Sequence, residues 1–357
     1  MQWALVLLLA VLAQPCLSYT RNSLYWLSHL RSRHGYGYRN GYPASHWDTE
    51  HPDEADCPLE CECPGLYPRA MYCHSRNLQH VPFVPSRMKY VYLHNNQISS
   101  IKEGVFDNAT DLVWIIMHKN QLTSDKLGKN VFSKLKNLQK LYLNTNDLTT
   151  VPENLPTSLV DLRINNNKIT QLSDNTFKGM VDLSHLHLQG NDIKEVGGAF
   201  KSLDSLIVLD LSRNSLEKVP ESLPGKLQQL YLNFNLIASV PSGFLALYPA
   251  LQYVRFSHNK ITDNGIPFNA FNTTGLLELD LSHNSLEKIP TISTNLENLY
   301  LQGNHIKEFS LSSFCRVVDM ANFSQIRVLR LDGNEISFRD VPPEAVLCLR
   351  LATTIDL

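Results

Sequence analysis

The sequence predicts an α/β-type, curved solenoid of stacked coils, with short parallel strands on its concave face. The first observation is an eleven-fold repeat of the pattern L-x-x-L-x-L-x-x-N-x-L between residues 88 and 336. The second is the spacing of the repeat asparagines, which lie 20 to 30 residues apart. A coil of this length cannot bury its own apolar edge, so the coils must stack. The asparagines are Asn96, Asn120, Asn146, Asn167, Asn191, Asn214, Asn235, Asn259, Asn284, Asn304 and Asn334.

Within each repeat, the first, fourth and sixth positions are apolar, as in Leu227, Leu230 and Leu232. These side chains are expected to point inward, and the residues between them to alternate outward as in a short strand. Strands from successive coils then form a parallel sheet, which is the arrangement of a leucine-rich-repeat solenoid. The asparagine at position nine is expected to be buried, where its amide hydrogen-bonds backbone groups of its own and a neighbouring coil.

The return segments follow two patterns, and we expect them to be extended, irregular or briefly helical. Short repeats return through Val-Pro or Ile-Pro pairs, since proline fixes φ and is excluded from helix interiors. Longer repeats carry a phenylalanine that is expected to fill the wider back of the coil. The prolines are Pro82, Pro152, Pro220 and Pro290, and the phenylalanines are Phe106, Phe132, Phe177, Phe200, Phe244 and Phe271.

Two segments precede the repeats. Residues 1–18 contain an uncharged apolar run, Ala4 to Ala13, that is too short to span a bilayer and is typical of a cleaved secretory signal. Residues 19–56 lack the repeat and are expected to form a flexible tail that is first basic and then acidic. Its arginines Arg31, Arg33 and Arg39 are candidates for binding heparin-like polyanions, and the alternative is a solvated linker.

Cysteines mark both ends of the repeat region. Cys57, Cys61, Cys63 and Cys73 fall within residues 57–87, where a small disulfide knot would cover the first coil. Zinc is the competing interpretation, but a secreted chain favours disulfides, and the spacing leaves three pairings open. After repeats one to ten, residues 88–306, the last repeat is elongated within residues 307–357. A Cys315–Cys348 bridge would close that end.

Composition and motifs exclude several functional classes. The formal net charge of -2 argues against general attraction to nucleic acid, and no later apolar stretch is long enough to cross a membrane. The nucleophile-elbow, zinc-protease and phosphate-loop motifs are missing, so an enzyme is not expected. Two histidine pairs, His185 with His187 and His258 with His283, are placed to bind a metal in pairs only, so we predict neither a metal site nor a cofactor.

The concave face is the expected binding surface, because it presents a long row of fixed side chains that mixes aromatic and charged residues. The alternative is that these charges only pair with one another. The candidate residues at position five, with one residue of the late repeat, are Tyr142, Arg163, His187, Asp210, Tyr231, Arg255, Asp280, Tyr300, Arg330 and Glu335. Three glycosylation sequons begin at Asn108, Asn272 and Asn322 and are expected to lie away from the strands.

The C-x3-C-x-C-x9-C cluster, the cycle of one short and two long repeats and the elongated late repeat together resemble class II of the small leucine-rich proteoglycans. The resemblance covers residues 57–357. It implies disulfides Cys57–Cys63, Cys61–Cys73 and Cys315–Cys348, and asparagine-linked keratan sulfate or simpler sugars. It also implies secretion into the extracellular matrix and binding to fibrillar collagen of the type I or II class, with growth factors of the transforming type as further partners.

We therefore expect a secreted matrix glycoprotein that binds collagen and regulates fibril assembly. The alternative function is a soluble trap for growth factors or microbial ligands. Glu335 and Ile336 match a late-repeat collagen-contact motif of the family, but Ser337 stands where that motif has lysine.

Overall fold

The computed structural model describes residues 56–357, which form one continuous parallel sheet backed by irregular return segments. Its thirteen strands lie in chain order, and each pairs with the next. The strands are β1 Ala70–Tyr72, β2 Tyr90–Tyr92, β3 Trp114–Ile116, β4 Lys140–Tyr142, β5 Asp161–Arg163, β6 His185–His187, β7 Val208–Asp210, β8 Gln229–Tyr231, β9 Tyr253–Arg255, β10 Glu278–Asp280, β11 Asn298–Tyr300, β12 Val328–Arg330 and β13 Thr354–Asp356.

Helices in this region are short and lie outside the sheet. The α-helices are α1 Phe244–Leu247 and α2 Ala345–Cys348, and the 3-10 helices are Ser124–Lys126, Asp263–Gly265, Leu311–Ser313 and Phe338–Asp340. The predicted solenoid of parallel strands with mostly extended return segments is therefore confirmed.

The sheet has two more strands than the eleven repeats predicted. β1 lies inside the cysteine cap, and β13 lies near the end of the chain, where Ala352, Ile355 and Leu357 occupy positions one, four and six. Both segments continue the strand pattern without the repeat asparagine, which is why the asparagine count missed them.

The core runs along the inner side of the sheet. The position-four residues of β1 to β12, such as Leu186 and Leu209, are completely buried. The return-path phenylalanines are buried behind them, and two pairs stack, with ring centroids 5.9 Å apart for Phe106 and Phe132 and 6.2 Å for Phe177 and Phe200. Each coil thus supplies one layer of a continuous apolar spine, as the residue pattern predicts.

The repeat asparagines form a hydrogen-bonded ladder. In a typical coil, the Nδ2 of Asn191 donates to the carbonyl of Leu188 at 2.9 Å and to that of Ile164 in the preceding coil at 3.1 Å. Its Oδ1 accepts the Ile169 N–H at 3.0 Å. The amide therefore satisfies backbone groups that the turn would otherwise leave buried and unpaired, which explains the asparagine at this position.

Disulfides lie at both ends of the described solenoid. They join Cys57 to Cys63, Cys61 to Cys73 and Cys315 to Cys348, the pairs that the family resemblance implies. At the first end, Glu62 and Tyr72 exchange two backbone hydrogen bonds in an antiparallel bridge. This bridge pairs the outer edge of β1, which would otherwise be an open strand edge.

Candidate binding surface

The outward-facing side of β1–β13, here called the sheet face, carries the predicted binding residues in straight rows. Neighbouring strands pair at equivalent positions, so Tyr142 lies beside Arg163, Tyr231 beside Arg255, and Tyr300 beside Arg330. A tyrosine is thus followed by an arginine at position five of the next coil in three places along the sheet.

The first of these steps is a compact cluster. The Arg163 guanidinium lies over the Tyr142 ring, with 4.3 Å from Cζ to the ring centroid, and its Nε and Nη2 donate to Asp161 at 3.1 and 3.0 Å. The Tyr142 hydroxyl donates to the same carboxylate at 2.6 Å. Burial, followed by the Asp161 charge, raises the pKa of Tyr142, so the phenol stays protonated. The cluster is therefore held rigidly by three mutually bonded groups.

The other two steps also hold the arginine in an ion pair. Arg255 lies over the Tyr231 ring at 5.3 Å and pairs with Glu278 of the next strand, with 2.6 Å between Nη2 and Oε1. Arg330 pairs with Asp332 at 2.9 Å and with Asp356 of β13 at 3.5 Å. All three arginines are therefore ion-paired within the sheet face, as the alternative interpretation of these charges expected.

The centre of the sheet face carries polar side chains that are held in fixed positions. Burial, followed by the charge of Arg163, lowers the pKa of His187 to about 4, so this imidazole is neutral at neutral pH. Burial raises the pKa of Asp210, whose Oδ1 accepts the Ser212 N–H at 3.0 Å. Asp280 is held in the same way by the N–H and hydroxyl of Ser282. A partner would therefore meet an imidazole and two carboxylates whose positions are fixed.

Some positions of the outward face are buried by their neighbours. Ile116, at position five, is buried, and so are Asp161 and Glu278 at position three, which bind Arg163 and Arg255. Glu335 is exposed but follows the strand β12, near His305, so it lies apart from the position-five row. The row therefore consists of tyrosine–arginine steps separated by His187 and by the carboxylates Asp210 and Asp280.

An aromatic region at the first end of the sheet face was only partly predicted. Tyr72 stacks on Tyr92 with ring centroids 4.9 Å apart, and Tyr90 meets Trp114 edge-on at the same distance. Beside them, three histidines at position seven stack in line, with 4.7 Å between His74 and His94 and between His94 and His118. Each of these histidines lies two residues before position nine, which is Asn96 or Asn120 in the repeats and Arg76 in the first coil. This shared spacing could have revealed the histidine row from the sequence.

The histidine pairs considered for metal binding do not converge. His258 and His283 stack face to face at 4.2 Å, and His258 also stacks on Phe234 at 4.0 Å, so the rings present parallel planes and not a shared ligand point. Within residues 56–357, no group of three or more histidine, cysteine or acidic residues could hold a metal ion. The four clustered cysteines are all in disulfides.

The sequons lie outside the strands. Asn108 and Asn322 are exposed and Asn272 is half-buried. Asn322 belongs to a turn in which its N–H and its Nδ2 both donate to the Asp319 carboxylate at 2.8 Å. The tail arginines Arg31, Arg33 and Arg39 and the predicted signal lie outside the described residues.

Across residues 56–357, the helices do not reach the combination of length and apolar character that a membrane span requires. The same residues match known sequence families. The family described as "Leucine rich repeat N-terminal domain" matches residues 56–86, and two families described as "Leucine rich repeat" match residues 86–148, 150–193, 205–225 and 295–317.

Among curated proteins, bovine fibromodulin is 52% identical over 376 aligned positions, which cover 100% of both chains, and human fibromodulin is 51% identical with the same coverage. Chicken lumican is 50% identical over 313 positions, covering 87% of this chain and 91% of its own. Among solved structures, a chain from the octameric complex of latrophilin 3, Unc5D and FLRT2 (LRR) superimposes with a TM-score of 0.65, 26% identity and coverage of 84% of this chain and 85% of its own. The chain therefore belongs to the small leucine-rich proteoglycan family, in the class II group that includes fibromodulin and lumican.

Proposed function

We propose that this protein is a secreted glycoprotein of the extracellular matrix that binds fibrillar collagen through its sheet face and regulates fibril assembly. The observation that carries the proposal is the threefold recurrence of a tyrosine–arginine step at position five, in register across the sheet. Aromatic and arginine side chains held in fixed positions are the groups that dominate protein-binding surfaces.

The spacing of the steps suits a rod-like partner. Adjacent strands are about 4.8 Å apart, so Tyr142 and Tyr231, four strands apart, are separated by about 19 Å. Tyr231 and Tyr300 are three strands apart, or about 14 Å. A polyproline-type chain rises about 3.1 Å per residue, so the full row matches about 11 residues of such a chain. A collagen molecule lying across the strands would meet all three steps.

The ion pairs prepare the arginines for this contact. Asp161 engages Nε and Nη2 of Arg163, which leaves Nη1 without a hydrogen-bond partner among residues 56–357. A guanidinium can donate five hydrogen bonds, so it can bind a carbonyl or carboxylate of collagen while its internal pair persists. Since the side chain is already ordered, binding costs less conformational entropy.

The remaining parts of the chain fit the same function. Residues 1–18 act as the secretory signal, and glycans at Asn108, Asn272 and Asn322 leave the strands clear because none of these residues lies in a strand. In the tail, Arg31, Arg33 and Arg39 bind heparin-like chains in a salt-sensitive manner. Deleting residues 19–56 should shorten retention on a heparin column, and equal retention would contradict this role.

The main experiment is collagen fibril formation followed by turbidity, with stoichiometric glycosylated protein. We expect a longer lag and thinner fibrils by electron microscopy. The double variant Arg163→Gln/Arg330→Gln should bind immobilised collagen about tenfold more weakly, as expected for loss of central anchor residues. The matched control is Lys178→Gln/Lys201→Gln, which removes two exposed cations of the return segments and should leave the affinity unchanged.

Unchanged lag, rate and fibril diameter with the unmutated protein would reject the proposal. Equal collagen affinity for the arginine and lysine double variants would exclude the sheet face as the contact. Binding to a transforming-type growth factor in a parallel measurement, without binding to collagen, would instead favour the soluble trap.

A further inference from the structure

A cleft of ≈ 430 Å³ lies at the first end of the sheet face, away from the tyrosine–arginine steps. One wall is the cap loop around Leu66 and Tyr67, whose side chains are 83% and 63% exposed. The other wall and the floor come from β1, β2 and β3. The volume lies within the range of about 300–1,000 Å³ that is typical of binding pockets.

The cleft follows a row of aromatic rings. Position three carries Ala70 in β1, Tyr90 in β2 and Trp114 in β3, and these residues pair in register. Ala70 is only 4% exposed, so the accessible lining consists mainly of the rings around it, among them those of Tyr67 and Tyr90. A ring from a partner placed between Tyr67 and Tyr90 would extend this aromatic row.

The lining is aromatic and provides few polar groups. Tyr72 and Tyr92 stack with nearly parallel rings, so their hydroxyls are the polar side-chain groups of that wall. Burial, followed by the neighbouring tyrosines, raises the pKa of Tyr92 to about 12, so its hydroxyl remains a donor at neutral pH. No carboxylate or amide side chain lines the cleft, which disfavours a sugar, because its hydroxyls would be buried with too few partners.

The cations outnumber the unpaired carboxylates around the cleft. Arg69 lines the cleft, is exposed, and has no ion-pair partner among residues 56–357. The Lys140 ammonium lies 4.4 Å from the centroid of the Trp114 ring. The nearby carboxylates are paired, Glu62 with Arg76 at 3.4 Å and Asp56 with Arg87 at 2.8 Å. The complementary partner is therefore acidic.

We propose that this cleft binds an acidic, proline-containing extended peptide segment of a partner protein, with a proline ring between Tyr67 and Tyr90 and a carboxylate on Arg69. Aromatic-lined grooves recognise polyproline-type segments because such segments are already ordered before binding. The site differs from the proposed collagen contact, since the cleft admits a single chain and lies on β1–β3. Its test is independent of collagen binding.

Isothermal titration calorimetry of the full-length protein provides the test, with the peptide acetyl-Glu-Pro-Pro-Glu-Pro-Pro-Glu-amide as probe. Two matched peptides replace either every proline with alanine or every glutamate with lysine. We expect the acidic proline peptide to bind and both matched peptides to bind at least about tenfold more weakly. Trp114, the only tryptophan of residues 56–357, should change its fluorescence on binding.

Two variants locate the site. Tyr67→Ala removes the exposed aromatic wall and should weaken binding at least about tenfold, whereas Phe83→Ala, an exposed aromatic residue outside the cleft, should not change it. Arg69→Ala should weaken binding about fivefold, and its control Arg327→Ala, at the equivalent position near the other end, should have no effect. Far-ultraviolet circular dichroism and thermal unfolding establish that each variant is folded.

Several results would overturn the proposal. They are the absence of binding, equal binding of the alanine or lysine peptide, and undiminished binding to a folded Tyr67→Ala variant. Displacement of the peptide by a sulfated oligosaccharide would assign the cleft to a polyanionic sugar. Loss of peptide binding when the protein self-associates would assign it to a second copy of the chain.

Discussion

Replacing Asn191 with alanine should destabilise the solenoid strongly although the side chain is far from any proposed binding residue. Asn191 is only 6% exposed, and its amide makes three hydrogen bonds of 2.9 to 3.1 Å to buried backbone groups. Each buried group that loses its partner costs about 1–3 kcal/mol. Because the coil can relax in part, we expect the free energy of unfolding to fall by about 3–4 kcal/mol.

The measurement is equilibrium unfolding in urea, followed by circular dichroism. The matched control is Asn165→Ala, a nearby asparagine whose side chain makes no hydrogen bond within residues 56–357, and its effect should stay below about 0.5 kcal/mol. A loss below about 1 kcal/mol for Asn191→Ala, or an equal loss for the control, would refute the assignment of the ladder as a stabilising element.

Three further predictions concern other parts of the solenoid. Phe177→Ala should cost about 3–5 kcal/mol in urea unfolding, because it empties a fully buried site against Phe200, and a cost below 1 kcal/mol would contradict that packing. Replacing Cys315 and Cys348 with serine should reduce stability by about 4 kcal/mol, as expected for a link across 33 residues, and unchanged unfolding without reductant would argue against it. Because the folded pKa of His187 is about 4, the unfolded chain binds more protons between about pH 6.5 and pH 4. Stability should therefore fall as the pH is lowered through this window, and His187→Gln should show a smaller fall; an identical slope would exclude this residue as a cause.

The repeat pattern was sufficient to predict the architecture. Spacing of the leucines and asparagines identifies inward positions, parallel strands and the ladder, because each coil repeats the same local geometry. β1 and β13 escaped prediction because Met71 and Ile355 follow the strand pattern without a repeat asparagine. The cysteine pairs were implied by family resemblance, since spacing alone left three pairings open.

Side-chain organisation of the sheet face was harder to predict. The sequence places Asp161 at an outward position, but its burial depends on the rotamers of Arg163 and Tyr142, which no periodicity encodes. Likewise, the cleft on β1–β3 was not predicted, because it depends on the placement of Tyr67 in the cap loop, which the repeat pattern does not describe.

The residue-for-residue alignment of all thirteen strands has a consequence for how this architecture can change. Duplication or deletion of one complete coil between Arg163 and Tyr231 would alter the reach between anchors by a single increment of about 4.8 Å. The contacts inside every other turn would remain as they were. The distance between the binding residues can therefore change only in steps of one coil. Evolution can fit this distance to a partner by adding or removing whole coils, without changing the residues within the others.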